Sequence, residues 1–572
     1  MSNRSKSKIS TAQQVFLIIK LLILIIIFAA VIIGGWHARR LFPYPAILAR
    51  FGIDNWQVRG FHDYFELDPS QVTVVKNDTR LQYLDNPPVF INNELHFHYT
   101  FLRDFIDPFV FWDSRAQTLF FSTDNEITRF PNQFVPFDFV YQFYSSLFFN
   151  ITFHEQNNII VIENIFSDRF VTAARRAAVR HRPDNAAYIK TWVDEDDMVT
   201  GFGRYNGFYR VRTGEGLLGY ISIRDAIEGR STVPSPDVTL GRYLTHPSPR
   251  IVMTWEMITA PAGNYTAMQN PLPEELTVIS PTWFSLDPYA PDGTLISFVC
   301  RDYIEWAHGQ NTEVWAKAFD TNHDISGAVL RNYRAREHVV SQLADFADYY
   351  GLDGININFE HVRAVYGRYY VQFLRELAVE MRRRGVVLSV ATYVPAPWFS
   401  HYYHHLVGHT VDFVAIMTYN EHYAGSPEPG PVASIPFVRH WTAASLELIP
   451  REKLILGLPF YNRMWRVAPG GSHTSSLYGM TRPWTLLEEH NVSPVWDAVA
   501  GSYYANFFSG RYNYRIWIEC ERSIEEKMRV FTEFDLAGVA GWRRGLETQG
   551  VWGVIGQTAS QQGQAGLFLI PY

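Results

Sequence analysis

The chain has 572 residues, of which 47% are hydrophobic and 19% are charged. This composition excludes an intrinsically disordered protein and predicts two to four folded domains. The net charge of −7 offers no basic surface for nucleic acid, so we expect no nucleic-acid partner.

The chain begins with a hydrophobic segment. Residues 15–36 read VFLIIKLLILIIIFAAVIIGGW, which is about the length that crosses a bilayer, and Lys20 lies near their start, where its stem can reach the headgroups. A cleaved signal peptide is the alternative, but the segment is long for one and no clear small-x-small cleavage site follows. We therefore predict that residues 1–40 form a cytoplasmic tip and a single-pass anchor in the cell membrane, with the remaining domains extracytoplasmic.

A linker at 41–60 and a small α+β domain at 61–170 are predicted next. Residues 102–123 and 143–164 share a weak repeat, in which an apolar helix-like stretch precedes a strand, a polar turn and a second strand. The layout resembles the small repeat domain that bacterial surface proteins share with the N-terminal region of copper amine oxidases. No copper ligand set is visible, so we interpret the segment as a structural stalk.

Residues 185–230 contain short β-rich runs separated by turn residues, and the clearest are GFYRV at 207–211 and GYI at 219–221. This pattern resembles the bacterial SH3-like domain, which is often found in cell-wall enzymes. Two interpretations stay open for it, a wall-binding module and a spacer barrel.

From residue 245 to about 560, apolar β-branched runs alternate with helical stretches. Eight strands are predicted, at Ile251–Trp255, Leu276–Ser280, Glu313–Phe319, Gly354–Phe359, Val386–Thr392, Asp412–Met417, Leu454–Leu458 and Leu536–Gly541. After the fourth strand, apolar residues at helical spacing predict a helix that ends at Gly385. The alternation predicts an α/β fold, a (β/α)8 TIM barrel. The strand-rich gap at about 465–535 is predicted to be an inserted α+β subdomain that forms one wall of a cleft.

Polar side chains lie on one face of the fourth strand. Asn356, Asn358 and Glu360 alternate with apolar residues in the octet DGININFE at 353–360. Active sites of such barrels lie at the C-terminal ends of the strands. Because polar groups are costly to bury inside a barrel, we predict that Glu360 is a working acid at the mouth.

The octet resembles the D-x-x-D-x-D-x-E signature of the family 18 glycoside hydrolases at Asp353 and Glu360. Three further stretches resemble the sixth, seventh and eighth strands of that family: MTYN at 417–420, GLPFY at 457–461 and AGWR at 540–543. The run TYNEHYAGSPEPGPVASI at 418–435 is similar to the spore-germination and cortex-lytic N-acetylglucosaminidase branch. The likeness spans residues 245 to 555.

This resemblance implies hydrolysis of β-1,4-linked N-acetylhexosamine glycans, of peptidoglycan or a chitin-like polymer, in which the 2-acetamido oxygen of the substrate attacks the anomeric carbon. By motif, Glu360 would be the acid, and Asn358 and Tyr419 would hold the acetamido group. Trp542 would form the floor beneath the sugar. The resemblance also implies substrate contacts for Asp353, Asn356, Asn420 and Tyr461. No cofactor is implied.

Three positions depart from the family's pattern, because Asn356, Asn358 and Asn420 stand where aspartates are usual. Asn358 can accept the acetamido N–H but carries no charge to stabilise a cationic oxazolinium. Losing one such electrostatic element lowers the rate by on the order of 10²- to 10³-fold. A related endo-β-N-acetylglucosaminidase family is similar in its Asn-x-Glu pair. Two hypotheses therefore stand, an active membrane-anchored glycosidase and a wall-glycan-binding protein with weakened or lost turnover.

Two further features concern metals and redox chemistry. The histidines at 401, 404, 405 and 409 have helical spacing, but no carboxylate or cysteine stands at ligand spacing, so we predict an aromatic-rich helix and no metal site. Cys300 and Cys520 are the only cysteines, which excludes a thiolate zinc site and leaves one disulfide open.

Overall fold

The computed structural model describes residues 72–565, apart from 82–83, 124, 146–149, 156–157, 164–168 and 231–249. The predicted anchor and linker at 1–60 lie outside the described residues. Among the residues that are described, no helix combines the length and the apolar character needed to cross a membrane. Contacts divide the chain into two compact units. One holds the described residues up to 106 and those of 134–230, and the other holds 107–133 and 250–565.

The first unit begins with two small sheets. A four-stranded sheet has the order Thr79–Arg80, Thr73–Lys76, Ile159–Glu163, Asn150–His154, and a three-stranded sheet has the order Val89–Ile91, Glu94–His98, Phe134–Pro136. The helical elements are Tyr99–Phe101, Leu102–Ile106 and Phe137–Ser145. The predicted strand-and-helix composition is present, and the kinship of this segment with a known stalk domain stays a prediction.

The first unit ends with a seven-stranded antiparallel sheet. Its strands are Arg169–Ala173, Ala177–Arg180, Ile189–Val193, Met198–Tyr205, Phe208–Arg212, Leu218–Ser222 and Ala226–Arg230. Buried valines and alanines of these strands, among them Val171, Val179 and Val211, form a separate small core. The two clearest predicted runs are strands here, and the SH3-like assignment stays a prediction.

Eight parallel strands of the second unit close into a barrel. They are β1 (Ile251–Glu256), β2 (Val278–Pro281), β3 (Glu313–Phe319), β4 (Gly354–Asn358), β5 (Val387–Thr392), β6 (Phe413–Ile416), β7 (Leu454–Pro459) and β8 (Gly538–Trp542). β1 pairs with β2 and β8, and β2 also pairs with β3, so no barrel strand is left as an edge. The predicted barrel is confirmed, and the ends of each predicted strand lie within two residues of the ends of the observed strand.

Helices surround the barrel. They are Pro261–Ala267, Arg301–His308, His323–Leu330, Tyr333–Tyr350, Gly367–Arg384, His404–Thr410, Ile435–Leu446, Glu521–Phe534 and Gly550–Ala565, with 3-10 turns at Ala364–Tyr366, Pro397–Tyr402 and Arg451–Lys453. The helix predicted after the fourth strand ends where expected, at Gly385, whose φ of 70° is the left-handed conformation that suits glycine. A hairpin of Phe284–Leu286 and Leu295–Ser297 extends the sheet beside β3.

The predicted insertion between β7 and β8 is a five-stranded antiparallel sheet. Its strands are Tyr461–Val467, His473–Gly479, Val495–Asp497, Ser502–Ser509 and Tyr512–Ile518, and the helix Arg482–Glu489 packs on them. The insertion therefore begins earlier than predicted. It also ends earlier, because the amphipathic segment Glu521–Phe534 is a barrel helix.

Residues 107–133 pack on the barrel, although the sequence places them inside the predicted stalk. They form the strands Phe111–Asp113, Thr118–Ser122 and Ile127–Phe130. The fully buried Arg336 of helix Tyr333–Tyr350 donates to Asp113 at 3.2 Å and to Glu376 at 3.0 Å. This stretch is thus held to the barrel through a buried charged group.

Candidate active site

A cavity of about 880 Å³ opens at the C-terminal ends of the barrel strands, where the sequence predicts the site. Six of the eight predicted site residues line it: Asn358, Glu360, Tyr419, Asn420, Tyr461 and Trp542. A second cavity of about 560 Å³ shares Lys317, Asn358, Glu360 and Trp542 with the first. Glu360 therefore stands where two compartments of one cleft meet.

Glu360 follows directly after β4, and its side chain is partly exposed to the cavity. Its Oε2 accepts a hydrogen bond of 3.0 Å from the hydroxyl of Tyr393, which follows β5. Burial and, next, the neighbouring Glu360 raise the pKa of Tyr393, so that this hydroxyl stays a donor at ordinary pH. Tyr393 thus holds one oxygen of the Glu360 carboxyl group. The other oxygen receives no hydrogen bond from a described residue.

Asp320, directly after β3, fixes the backbone that carries Glu360. Its two oxygens accept the backbone N–H of Glu360 at 2.8 Å and that of His361 at 2.7 Å. The Ser326 hydroxyl donates to the same carboxylate at 2.6 Å. Asp320 is only 4% exposed, so its hydrogen bonds are made inside the protein, where a buried carboxylate requires such partners.

The two asparagines of the fourth strand lie at different depths. The side-chain N–H of Asn358 donates to the carbonyl of Ala391 at 3.1 Å, and Asn358 lines the cavity. Asn356 is fully buried below, where it accepts from the indole of Trp255 at 3.0 Å and donates to Ser389 at 2.9 Å. Asn358 can therefore reach a ligand, and Asn356 acts only through Trp255, which itself lines the cavity.

Tyrosines form the opposite side of the cavity. The hydroxyl of Tyr461 donates to Asn420 at 2.6 Å, and its ring meets the ring of Tyr419 edge-on at 6.2 Å between centroids. Burial raises the pKa of Tyr419 and of Tyr461 above that of a free phenol. Both phenols are therefore neutral hydrogen-bond donors at physiological pH.

Trp542 ends β8 and lines both compartments. Its ring lies 5.7 Å from that of Trp255, and the ammonium nitrogen of Lys317 lies 4.5 Å from its centroid. An aromatic surface of this kind suits the apolar face of a sugar ring.

Asp353 is not brought to this site. It precedes β4 at the opposite end of the barrel, where its carboxylate accepts from the backbone of Val314 at 2.8 Å and contacts His308 Nε2 at 2.7 Å. The octet runs along the whole strand, so its first residue and its last lie at opposite ends. The prediction that Asp353 contacts substrate is therefore wrong in this structure, and its contacts are those of a structural carboxylate. Asn356, too, has no direct access to the cavity.

The histidine cluster supports the loops around the site. His401 Nε2 donates to the carbonyl of Val362 at 3.0 Å, and His404 Nε2 donates to that of Tyr393 at 2.8 Å. Burial lowers the pKa of His404 to about 4, which keeps this ring neutral. Within the described ranges, no group of three or more His, Cys, Asp or Glu side chains is arranged to hold a metal ion.

The disulfide left open by the sequence is not formed, because Cys300 and Cys520 are both free thiols.

Sequence reasoning missed four residues of the site: Trp255, Lys317, Asp320 and Tyr393. A signal existed for Lys317, because it is a charged residue in the apolar interior of a predicted barrel strand, and for Asp320, because it is an acid directly after that strand. Trp255 and Tyr393 carried no comparable signal, since an aromatic at a strand end is also ordinary barrel packing.

The sequence is similar to that of known glycoside hydrolases. The sequence profile of the family described as "Glycosyl hydrolases family 18" matches residues 321–547. A candidate sporulation-specific glycosylase of Bacillus subtilis is 30% identical over 253 residues, which cover 42% of this chain and 58% of that protein. The cortical fragment-lytic enzyme of the same organism is 25% identical over 279 residues, which cover 46% of this chain and 63% of that protein.

A solved structure, the spore cortex-lytic enzyme of Bacillus megaterium, aligns with a TM-score of 0.47 and 21% identity over 54% of this chain and 73% of that one. The chain thus spans about three fifths of the length of the two curated relatives described above. The match to family 18 of the glycosyl hydrolases lies within the barrel and its inserted subdomain. The predicted family is confirmed, and with it the enzyme class of the barrel, a glycoside hydrolase.

Proposed function

We propose that the barrel cleaves β-1,4 bonds of an N-acetylhexosamine glycan of the peptidoglycan type, with retention and with help from the substrate's own acetamido group. The observation that carries this proposal is the position of Glu360. Its carboxyl group stands at the junction of two cleft compartments, bonded to Tyr393 and flanked by Asn358 and Trp542.

The proposed reaction has two steps. Protonated Glu360 gives its proton to the glycosidic oxygen as the bond from that oxygen to the anomeric carbon breaks. The acetamido oxygen bonds to the anomeric carbon and forms a cationic oxazolinium. Water then attacks the same carbon, the ring opens to restore the acetamide, and the Glu360 carboxylate takes the proton of the water.

Two residues support this role for the acetamido group. The side-chain oxygen of Asn358 can accept its N–H, because the amide nitrogen of Asn358 is already engaged by Ala391. The neutral hydroxyl of Tyr419 can donate to its oxygen. Trp542 offers the apolar surface beneath the sugar.

The choice of peptidoglycan rests on the name of one relative, a cortical fragment-lytic enzyme, and on the SH3-like pattern at 185–230. The sequence at 15–36 further supports a membrane-anchored protein whose barrel is extracytoplasmic.

The test compares the purified full-length protein with its Glu360→Gln variant on peptidoglycan glycan and on chito-oligosaccharides. We expect cleavage to fall about 10²- to 10⁴-fold, because the general acid is lost. Glu488→Gln is the matched control, since Glu488 is exposed on the helix of the inserted subdomain. Equal product release by the Glu360→Gln variant, read by reducing ends and mass spectrometry, would refute the proposal.

A second candidate is a glycan-binding protein without turnover. It is favoured by one observation, that Asn358 offers an uncharged amide where the mechanism gains from a negative charge. Saturable glycan binding by the unaltered protein, with no new reducing ends after long incubation, would support this candidate.

A further inference from the structure

Lys317 is a buried cation in the cleft. It lies on β3 and is 6% exposed, and it lines both compartments. Its ammonium nitrogen lies 4.5 Å from the centroid of Trp542 and 5.8 Å from that of Phe319. It forms neither a hydrogen bond nor an ion pair with any residue in the described part of the chain.

The surroundings do not neutralise this charge. The residue beside Lys317 on the neighbouring strand β4 is Asn356, the next polar residue toward the mouth on that strand is Asn358, and both are uncharged. Glu360 and Asp320 act on Lys317 only through space, and neither lies within ion-pair distance of it. Asp320 is moreover occupied by the backbone of the β4 end and by Ser326.

The ammonium donates to none of the described residues, and a charge held in so shielded a place is costly unless something pairs with it. A cation–π contact with one ring offsets only part of that cost. The open direction is the cleft, because Lys317 lines both cavities at the place where they meet. A ligand in the cleft can reach the ammonium, and the group that best satisfies an ammonium in a low-dielectric site is an anion.

We propose that Lys317 binds a free carboxylate on the sugar at the junction of the two compartments, and so selects an N-acetylhexosamine of the muramic-acid type over a neutral one. This inference rests on the proposed function, because it takes the ligand of the cleft to be an N-acetylhexosamine glycan. A neutral sugar would leave the ammonium without an anionic partner. A carboxylated sugar cancels that charge.

The choice of a free carboxylate has a consequence for the order of reactions. In peptidoglycan that carries stem peptides, the carboxyl group of the muramic unit is bound in an amide, which has no negative charge. The preferred glycan must then come from an amidase-type hydrolysis, in which water splits that amide into the carboxylate and the amine of the peptide. Lys317 thus assigns the barrel to a step after peptide removal.

The test measures binding, in the full-length Glu360→Gln protein, of three tetrasaccharides. They are a peptide-free glycan of alternating N-acetylglucosamine and N-acetylmuramic acid, its carboxyl methyl ester, and chitotetraose. We expect the free acid to bind about tenfold or more tightly than the ester, as a charge-assisted hydrogen bond would give. The second variant adds Lys317→Met, and there we expect the free acid and the ester to bind equally.

The outcomes separate the two proposals. Retention of the preference for the free acid in the Lys317→Met protein, or no preference in the parent, overturns the role of Lys317 while glycan binding stands. Failure of all three glycans to bind a folded parent protein refutes the proposed function and this inference with it. Binding of the methyl ester and of chitotetraose by the Lys317→Met protein shows that the variant is folded. A peptide-bearing tetrasaccharide that binds as tightly as the free acid would overturn the proposed order of reactions.

Discussion

The carboxylate of Asp320 accepts the backbone N–H of Glu360 at 2.8 Å, and this bond joins the end of β3 to the end of β4 at the mouth of the barrel. The second oxygen of Asp320 holds the next residue, His361, in the same way. Two consecutive peptide groups are therefore fixed by one buried side chain. The position of the proposed acid depends on Asp320 even though Asp320 does not line the larger cavity.

Replacement of Asp320 by asparagine tests this role. We expect kcat to fall about 10- to 100-fold with KM changed less than about threefold, because the acid is displaced while the sugar contacts remain. Asp412→Asn is the matched control, since the Asp412 carboxylate accepts the backbone N–H of Leu388 at 2.9 Å at the opposite end of the barrel. An equal loss of kcat in both variants would mean that Asp320 contributes only to stability.

Replacement of Asn358 by aspartate is predicted to raise the catalytic rate. The Asn358→Asp variant places a negative charge where the oxazolinium forms and beside the unpaired Lys317. We expect kcat on neutral chito-oligosaccharides to rise about tenfold or more. The carboxylate would lose the hydrogen bond that Asn358 donates to Ala391, so a lower melting temperature accompanies the gain. A rate below that of the parent at a temperature where both are folded would contradict this prediction.

The sequence predicted those parts of the site that a single strand end contains. Glu360, Asn358, Tyr419 and Trp542 each follow a local motif, and the barrel brings the motifs together at one mouth. Asp353 was misplaced for a geometric reason. Seven residues of strand at about 3.3 Å each separate it from Glu360 by about 23 Å, so the two ends of one motif cannot share a site.

Side-chain contacts between different elements could not be predicted in the same way. Lys317 and Asp320 become part of the site only because β3 lies beside β4 in the closed barrel. Residues 107–133 were assigned to the stalk by their place in the chain. Their packing on the barrel depends on side chains more than 200 residues later, such as Arg336, and no periodicity within the segment reveals it.

The buried charge of Lys317 predicts a stability effect that depends on pH. Burial lowers the pKa of Lys317 from 10.5 to about 8, with Glu360 and Asp320 opposing the shift and His361 bonded to Asp320 nearby. A lowered pKa means that the charged form is disfavoured in the folded state. The penalty is therefore complete below pH 8, declines between pH 8 and 10.5, and is absent above that range.

We accordingly expect Lys317→Met to stabilise the barrel by about 1–3 kcal/mol at pH 7 and by less at pH 10. The upper limit is the free energy that corresponds to the lowered pKa, at about 1.4 kcal/mol for each pKa unit. Urea unfolding of the full-length protein at both pH values, followed by the fluorescence of the barrel tryptophans, measures the difference. A destabilised variant at pH 7 would mean that Lys317 has an internal partner and that its charge is compensated within the fold.

Arg336 and Asp113 give the last prediction, on the attachment of residues 107–133. Both side chains are fully buried, and Arg336 also bonds to Glu376 at 3.0 Å and to the carbonyl of Leu330 at 2.7 Å. Asp113→Ala leaves part of the Arg336 charge uncompensated, so we expect a loss of about 3–5 kcal/mol in the free energy of unfolding of the barrel. Glu337→Ala is the matched control, because Glu337 of the same helix pairs with Arg129 of the same segment 107–133. That pair is exposed, and an exposed pair contributes at most about 1 kcal/mol. Hydrogen exchange of the helices Tyr333–Tyr350 and Gly367–Arg384 reports the effect on the barrel directly. If both variants leave exchange in these helices unchanged, residues 107–133 only lie against the barrel and do not stabilise it.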